Sequence, residues 1–547
     1  MSSNSRLVTE AIKRTTMIGL SALVFLLAQN RLANAERPNI LIAIADDQSF
    51  PYASAYGTKG IYTPAFDSVA KQGILFHSAF TPAPGCSPMR AAFLTGREIW
   101  QIGAAGTHAS DFPRDLPVFT EQLEHAGYFV GMTGKGWGPG RHTDWPHNPA
   151  GKTYSRAKMK SPSGISSTDY ATNFQQFLEE REDDQPFCFW FGCHEPHRTY
   201  QRGIGVDEGI ELSEVHLPDF LPDSSEVRSD IADFIFEVQW FDKHLARMLN
   251  HLESIGELEN TLVIVTSDNG MPFPRAKANL YEYGIHMPLA MSWPKAWPGG
   301  QKHHHLVSLI DVTRTIFDAA QVTPKEEKQL SGQSLLPALR QKGESLESPR
   351  KAVFSGRERH SSSRFHSVGY PSRCIRTHKY LYIHNFASER WPAGAPRKYS
   401  NAKFNESNQL ISGALGPKDG GYHDIDNGPT LQWMIANQMK PDVATLFAAA
   451  IGLRPTEELY DIRTDPSCLN NLATDPGHQA LRQELWEQLK TYLVSTGDLR
   501  VTAPESANLW EMYPRYSSLR WFPEPEWWSK QDKHVPVQPW LEQRRPR

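Results

Sequence analysis

The sequence predicts an α/β fold: a large, mostly parallel sheet flanked by helices, with a smaller antiparallel-sheet unit towards the C-terminus. Two observations carry this expectation. Short apolar runs that read as buried strands alternate with helical patterns up to about Ser348. Polar and charged residues follow directly on the C-terminal ends of those runs, where ligands of open α/β sheets bind. A chain of 547 residues is long enough for a large core or for two domains.

Asn39 to Ala45 reads as a continuous apolar strand ending in Asp46-Asp47. Thr63-Pro64 opens a short helix that closes at Gly73, and Ile74 to Phe80 is the next strand. Cys86-Ser87-Pro88-Met89-Arg90 reads as a helix start, because proline in a first turn loses no hydrogen bond. Leu116 to Ala126 is helical and ends at Gly127, and Tyr128 to Met132 is a strand leading into Gly134-Lys135. Pro186 to Cys193 is a buried strand ending in His194-Glu195-Pro196-His197. A long amphipathic helix follows, with Val227, Ile231, Phe234, Val238, Phe241, Leu245, Leu249 and Leu252 on one face, and it stops near Gly256. Thr261 to Thr266 is a strand ending in Ser267-Asp268-Asn269-Gly270.

Past about Ser348, Ala352 to Ser355 and Cys374 to His384 read as strands of the smaller unit. A helix from His478 to Leu493 packs against them, after a turn-rich run from Glu458-Leu459-Tyr460-Asp461 to Asp475-Pro476. The tail beyond Gly497 is rich in Trp and Pro with little periodicity, and either wraps the core or adds a binding surface. The expected organisation is a signal peptide over 1–35, a catalytic domain over 36–347, a C-terminal subdomain over 348–498 and an extension over 499–547.

The signal peptide is read from Lys13 and Arg14, the apolar stretch Ile18 to Ala28, and the small-x-small site Ala33-Asn34-Ala35. That stretch is shorter than the roughly 20 residues of a membrane span, and no later run is long and apolar enough. The chain is therefore expected to be exported without a transmembrane segment, and periplasmic or secreted (lysosomal in a eukaryote). A net charge of −4 with pI near 6.6 carries no nucleic-acid footprint, so an anionic substrate needs cations gathered in a cleft. Five cysteines leave one over in an exported protein, and Cys86 is the natural odd one. Cys188 and Cys193 have opposite parity in one strand and face opposite ways, and a Cys374–Cys468 pair is left open.

Two groups of residues carry chemistry. Arg90 lies at i+4 from Cys86, at a helix start whose free N–H groups favour anions. Asp46-Asp47 and Asp268-Asn269 supply three carboxylates and an amide, hard oxygen ligands that suit Ca²⁺ or Mg²⁺ better than zinc. Single acidic pairs are as often turn or capping residues. Lys135 and Lys277, taken alone, are isolated lysines of the kind that are mostly solvated surface groups. A zinc site on His194 and His197 is disfavoured, because Pro196 opposes the helix it needs.

The run Cys86-Ser87-Pro88-Met89-Arg90 with Thr95-Gly96-Arg97 resembles the signature of the type I sulfatases of the alkaline-phosphatase-like superfamily. That resemblance implies that Cys86 is converted by a formylglycine-generating maturation enzyme to an aldehyde, whose hydrate attacks sulfur. It implies calcium held by Asp46, Asp47, Asp268, Asn269 and the modified Cys86, with Mg²⁺ as the alternative ion. It implies Arg90, Lys135 and Lys277 as a cationic clamp on the sulfuryl group, and His197 as the group that protonates the leaving atom.

Longer stretches resemble the N-sulfoglucosamine sulfohydrolases, or sulfamidases. These are Ser267-Asp268-Asn269-Gly270-Met271-Pro272-Phe273-Pro274, His194-Glu195-Pro196-His197-Arg198, Tyr370-Pro371-Ser372-Arg373 and Asn471-Leu472-Ala473-Thr474-Asp475-Pro476. The expected substrate is thus a sulfated saccharide, with N-sulfated, heparan-type glucosamine favoured. An O-sulfatase and a phosphonate or phosphate-ester hydrolase are the alternatives, and an inactive carbohydrate-binding relative is the non-enzymatic one. The sequence departs from the family at Trp137, where many sulfatases carry a histidine two residues past the lysine. Either His197 suffices, or His142 or His286 reaches in, or the substrate differs. His286, His360 and Arg373 are candidates to contact the sugar, a polar loop being the other reading of Glu358-Arg359-His360. A homodimer is left open.

Overall fold

In the computed structural model, residues 37–339, 350–405 and 410–528 are described. The expected signal peptide and the end of the tail lie outside them.

Seven consecutive buried residues, Asn39–Ala45, form β1. They alternate between two layers: Ile40, Ile42 and Ile44 point into one apolar cluster, and Leu41, Ala43 and Ala45 into another on the opposite face. A strand buried on both faces reads as an unbroken apolar run. The chain continues through α1 (Pro64–Gln72), β2 (Ile74–Phe80), α2 (Cys86–Thr95), α3 (Phe119–His125), β3 (Phe129–Gly134), β4 (Lys152–Thr153), α4 (Tyr170–Glu179) and β5 (Phe187–Gly192). Then come α5 (Ser225–Ser254), β6 (Thr261–Ser267), β7 (His286–Ser292), β8 (Gln301–His303), β9 (Val307–Ser308) and α6 (Leu309–Ala319).

Among the described residues, nine strands form one sheet in the order β4-β3-β5-β1-β6-β7-β2-β8, with β9 also paired to β2. Pairing is parallel from β4 through β6, and β7 runs antiparallel to both its neighbours. Residues of α2, α3 and α6 join the first apolar cluster, while those of α1, α4 and α5 join the second. The sheet is thus covered by helices on both faces, as expected.

The smaller unit consists of β10 (Val353–Arg357), β11 (Ser372–Arg376), β12 (Tyr380–Asn385), the antiparallel pair β13 (Tyr399–Phe404) and β14 (Leu410–Leu415), and β15 (Glu457–Asp461). An antiparallel sheet runs β10-β11-β12-β15, and α7 (Gln479–Ser495) packs on it, with Tyr492 stacked on Phe354 at 3.7 Å.

Two elements differ from the sequence reading. The run Glu458-Leu459-Tyr460-Asp461 is a strand rather than a turn, because Leu459 and Tyr460 are buried and pair with Tyr382 and Leu381. The helix expected from Leu116 begins at Phe119, since Pro117 disfavours helical geometry at the residue before it. All five cysteines are free. Cys188 and Cys193 fall on opposite faces of the sheet, and Cys374 and Cys468 share one apolar cluster as thiols. No described helix is long and apolar enough to cross a membrane.

Candidate active site

β1 and β6 are adjacent and parallel, with Ala45 opposite Ser267, so the residues that follow them emerge side by side. Asp46 and Asp47 thereby meet Asp268 and Asn269 in the middle of the sheet edge. The backbone N–H of Asp47 donates to Asp268 Oδ1 at 3.1 Å, and Asn269 Nδ2 donates to Asp47 Oδ1 at 2.7 Å. Asp47 sits at φ +81°, a left-handed conformation that non-glycine residues seldom adopt and that clusters at functional sites.

Helix α2 brings in the nucleophile candidate. Its ten residues are all buried, Cys86 is the first of them, and Gly85 caps it. One turn on, Arg90 Nε binds Asp268 Oδ2 at 2.7 Å and Nη1 donates to the Lys135 carbonyl at 2.5 Å. Arg90 Nη2 lies 4.0 Å from Asp46 Oδ1. Lys135, directly after β3, places Nζ 2.5 Å from Asp46 Oδ2. Lys277 Nζ lies between Asp47 Oδ2 at 2.6 Å and Asp426 Oδ2 at 2.8 Å. After β5, His197 turns Nε2 to within 3.9 Å of Asp47 Oδ2, while its Nδ1 is 2.6 Å from the Arg198 carbonyl.

The electrostatics follow from burial opposed by these cations. Burial works to raise the Asp46 carboxyl, yet Lys135, His197, Arg90 and Lys277 together hold it well below the usual range. For Asp47 burial outweighs Lys277 and His197, and the carboxyl moves up. Burial also raises Asp268, to about 6, against the pull of Arg90. Among the described residues, two buried oxygens, Asp46 Oδ1 and Asn269 Oδ1, have no hydrogen-bond partner. Three carboxylate oxygens, one each from Asp46, Asp47 and Asp268, lie within 4.8 Å of one another. Orphaned buried oxygens in an all-oxygen set fit a hard divalent cation.

An open cleft of about 610 Å³ leads to this edge, lined among others by Asp46, Lys135, Ser166, His194 and His197. Its size is that of a small-molecule site.

The other candidates lie elsewhere. Arg373 is not free for a sugar: its guanidinium is fully buried between Asp498 at 2.6 Å and Glu358 at 2.7 Å. His286 does not reach in either. It stacks on Phe50 and Phe80, with Nδ1 3.1 Å from Glu282 and Nε2 3.1 Å from the His77 carbonyl. His360 lies behind Gly85, its ring centroid 4.7 Å from that of His108. Trp137 is buried, and its indole donates to the Ser87 carbonyl at 3.0 Å, bracing the start of α2; His142 packs edge-on against it.

Three residues escaped the sequence reading. His108 places Nε2 3.3 Å from Cys86 Sγ. Asp426 pins Lys277, and Arg515 of the tail reaches His108. The acidic run Asp424-Ile425-Asp426 was a signal for the second; the others sit in segments without pattern.

Residues 38–322 match the Sulfatase family, and residues 275–393 match the family described as N-sulphoglucosamine sulphohydrolase, C-terminal. Human N-sulphoglucosamine sulphohydrolase is 29% identical over 527 residues, covering 89% of this chain and 96% of that one. An ulvan-active sulfatase of Formosa agariphila is 25% identical, covering 86% of this chain and 77% of that one. A solved chain in complex with its substrate D-glucosamine-2-N,6-O-disulfate shares the fold, with TM-score 0.57 at 20% identity over 85% of this chain and 99% of that one. The fold is the alkaline-phosphatase-like α/β architecture, and the chain belongs to the sulfatase family of hydrolases.

Proposed function

We propose that the protein is an exported sulfamidase that hydrolyses the N-sulfate of a glucosamine residue, releasing the free amine and inorganic sulfate. The observation that supports this most is the convergence of Cys86, three carboxylates and three cations at one sheet edge, in a chain that aligns with 96% of human N-sulphoglucosamine sulphohydrolase.

Asp46, Asp47, Asp268 and Asn269 would hold Ca²⁺, with the modified Cys86 completing the set. The charge count favours this: Asp46, Asp47, Asp268 and Asp426 face Arg90, Lys135 and Lys277, and a sulfate adds further negative charge. The bound ion would offset that excess and polarise sulfate oxygens, and formylglycine at Cys86 would supply a hydrate hydroxyl as nucleophile. Lys135 and Lys277 stand within reach of the same site, fixed by Asp46 and Asp47, and stabilise charge that spreads over the sulfate oxygens. Arg90 orients Asp268 through a buried ion pair. A carbonyl accepts only, so His197 Nδ1 donates its proton to a hydrogen bond with the Arg198 carbonyl, and in the doubly protonated ring the second proton, on Nε2, is the one that passes to the departing nitrogen. His197 is partly exposed on the cleft, where a leaving sugar would stand.

Turnover of N-sulfoglucosamine, glucosamine 6-O-sulfate and an aryl phosphonate under one set of conditions tests the assignment. The N-sulfate is expected to lead in kcat/KM by about 100-fold or more, the discrimination a polar site achieves against a wrongly placed group. Dominance of the 6-O-sulfate or the phosphonate would contradict it.

A further inference from the structure

Trp137 stands where a proton-carrying histidine was expected, and its indole is committed to the scaffold of α2. The space beside the nucleophile is filled from another part of the chain. His108 lies on the loop after α2 that also carries Ala109, whose N–H donates to Ser87 Oγ at 3.0 Å. Its Nε2 is 3.3 Å from Cys86 Sγ, and its Nδ1 is 3.2 Å from Arg515 Nη1. Arginine has only donors, so Nδ1 accepts, and the proton of a neutral imidazole resides on Nε2, facing Cys86.

The tail is tied down to keep Arg515 there. The same Nη1 donates to the His360 carbonyl at 2.8 Å. Tyr516 N–H donates to the Ala109 carbonyl at 2.7 Å, and Arg141 lies over the Tyr516 ring at 3.7 Å. Arg359 Nη2 donates to the Pro514 carbonyl at 2.9 Å.

We propose that His108 is a catalytic hydrogen-bond donor to the Cys86 side chain, and that Arg515 of the C-terminal tail is the positioning residue that sets its tautomer. In this arrangement His108 orients the attacking group by donation from Nε2. The tail is then part of the active site rather than an appendage. This rests on the reading of Cys86 as the nucleophile.

The test measures kcat and KM on N-sulfoglucosamine for His108→Ala, His108→Gln, Arg515→Met and the Arg515→Met/His108→Ala pair. Conversion of Cys86 is read by peptide mass in each, and rates are normalised to the converted fraction. His108→Ala is expected to lose about 100-fold in kcat with little change in KM, the loss typical of one preorganised donor at a reacting oxygen. His108→Gln, whose amide N–H donates from a similar place, should recover at least about 10-fold of that. Arg515→Met should cost about 10-fold in the wild-type background and almost nothing beside His108→Ala, the signature of action through His108. Full activity of converted His108→Ala, no recovery with glutamine, or equal Arg515→Met losses in both backgrounds would overturn the proposal. So would a folded His108→Ala that leaves Cys86 unconverted, since His108 would then act in maturation. An unmodified thiol in active wild-type enzyme would instead remove the premise about Cys86.

Discussion

Arg373, Glu358, Asp498 and Arg500 form one buried ionic cluster, in the C-terminal part of the chain. Asp46, Asp47, Asp268, Arg90, Lys135 and Lys277 form another, at the sheet edge. In the first, Arg373 Nε meets Asp498 Oδ2 at 2.6 Å, Nη1 donates to the carbonyls of Arg357 and Ser372, and Nη2 meets Glu358 Oε1 at 2.7 Å. Arg500 takes up both oxygens of Glu358. Every one of these charges ends on a partner. In the second, Asp46 Oδ1, Asn269 Oδ1 and Arg90 Nη2 are buried without a hydrogen bond among the described residues. Charge buried and closed on itself holds a fold together, whereas charge buried and left open marks a place for something else.

The largest expected effect breaks the open cluster at its nucleophile. Cys86→Ala should lower turnover by about 10⁵-fold or more, on the scale of losing an enzyme nucleophile, with the thermal midpoint unchanged within error. Loss of fold together with activity would mean that Cys86 is only packing.

Arg373→Met breaks the closed cluster. It leaves Asp498 without its arginine and is expected to cost about 3–5 kcal/mol in denaturant unfolding, while kcat/KM of the folded fraction stays near wild type. Adding Asp498→Asn should recover part of that loss. A selective fall in kcat/KM at full stability would return Arg373 to the list of sugar contacts.

Calcium sharpens the contrast. At about 100 times its Kd, Ca²⁺ should stabilise the metal-stripped protein by about 2.7 kcal/mol, an effect lost in Asp46→Ala and kept in Arg373→Met. Equal stabilisation in both variants would place the ion elsewhere.

The smallest effect concerns Trp137. Trp137→Phe removes one buried indole donor to the Ser87 carbonyl, for a cost of about 1 kcal/mol in stability and no change in the pH profile of kcat. A shifted profile would give Trp137 a part in proton handling.

The same contrast explains what the sequence made legible. β1 was readable to the residue because a parallel strand buried on both faces is a plain apolar run, and Asp46-Asp47 stand out at its end. Parallel neighbours emit their next residues at one level, so the pairing of β1 with β6 was implicit in the two acidic pairs. β15 hid because Asp461 and the turns after it gave the segment a loop-like composition. His108 and Arg515 were invisible for a different reason. They lie 407 residues apart in loop and tail without periodicity, and only tertiary folding makes them neighbours of Cys86. Arg373 misled because an arginine in a matched motif looks the same in sequence whether it faces a sugar or two buried carboxylates.

The chemical state of Cys86 in active enzyme decides whether it is the nucleophile. Mass analysis of the Cys86 peptide, taken from protein produced with a maturation enzyme and assayed in parallel, reads that state directly. Conversion of the thiol to the aldehyde lowers the peptide mass by about 18 Da, and turnover should rise in proportion to the converted fraction across preparations. Full turnover from protein whose Cys86 is an unmodified thiol would contradict it.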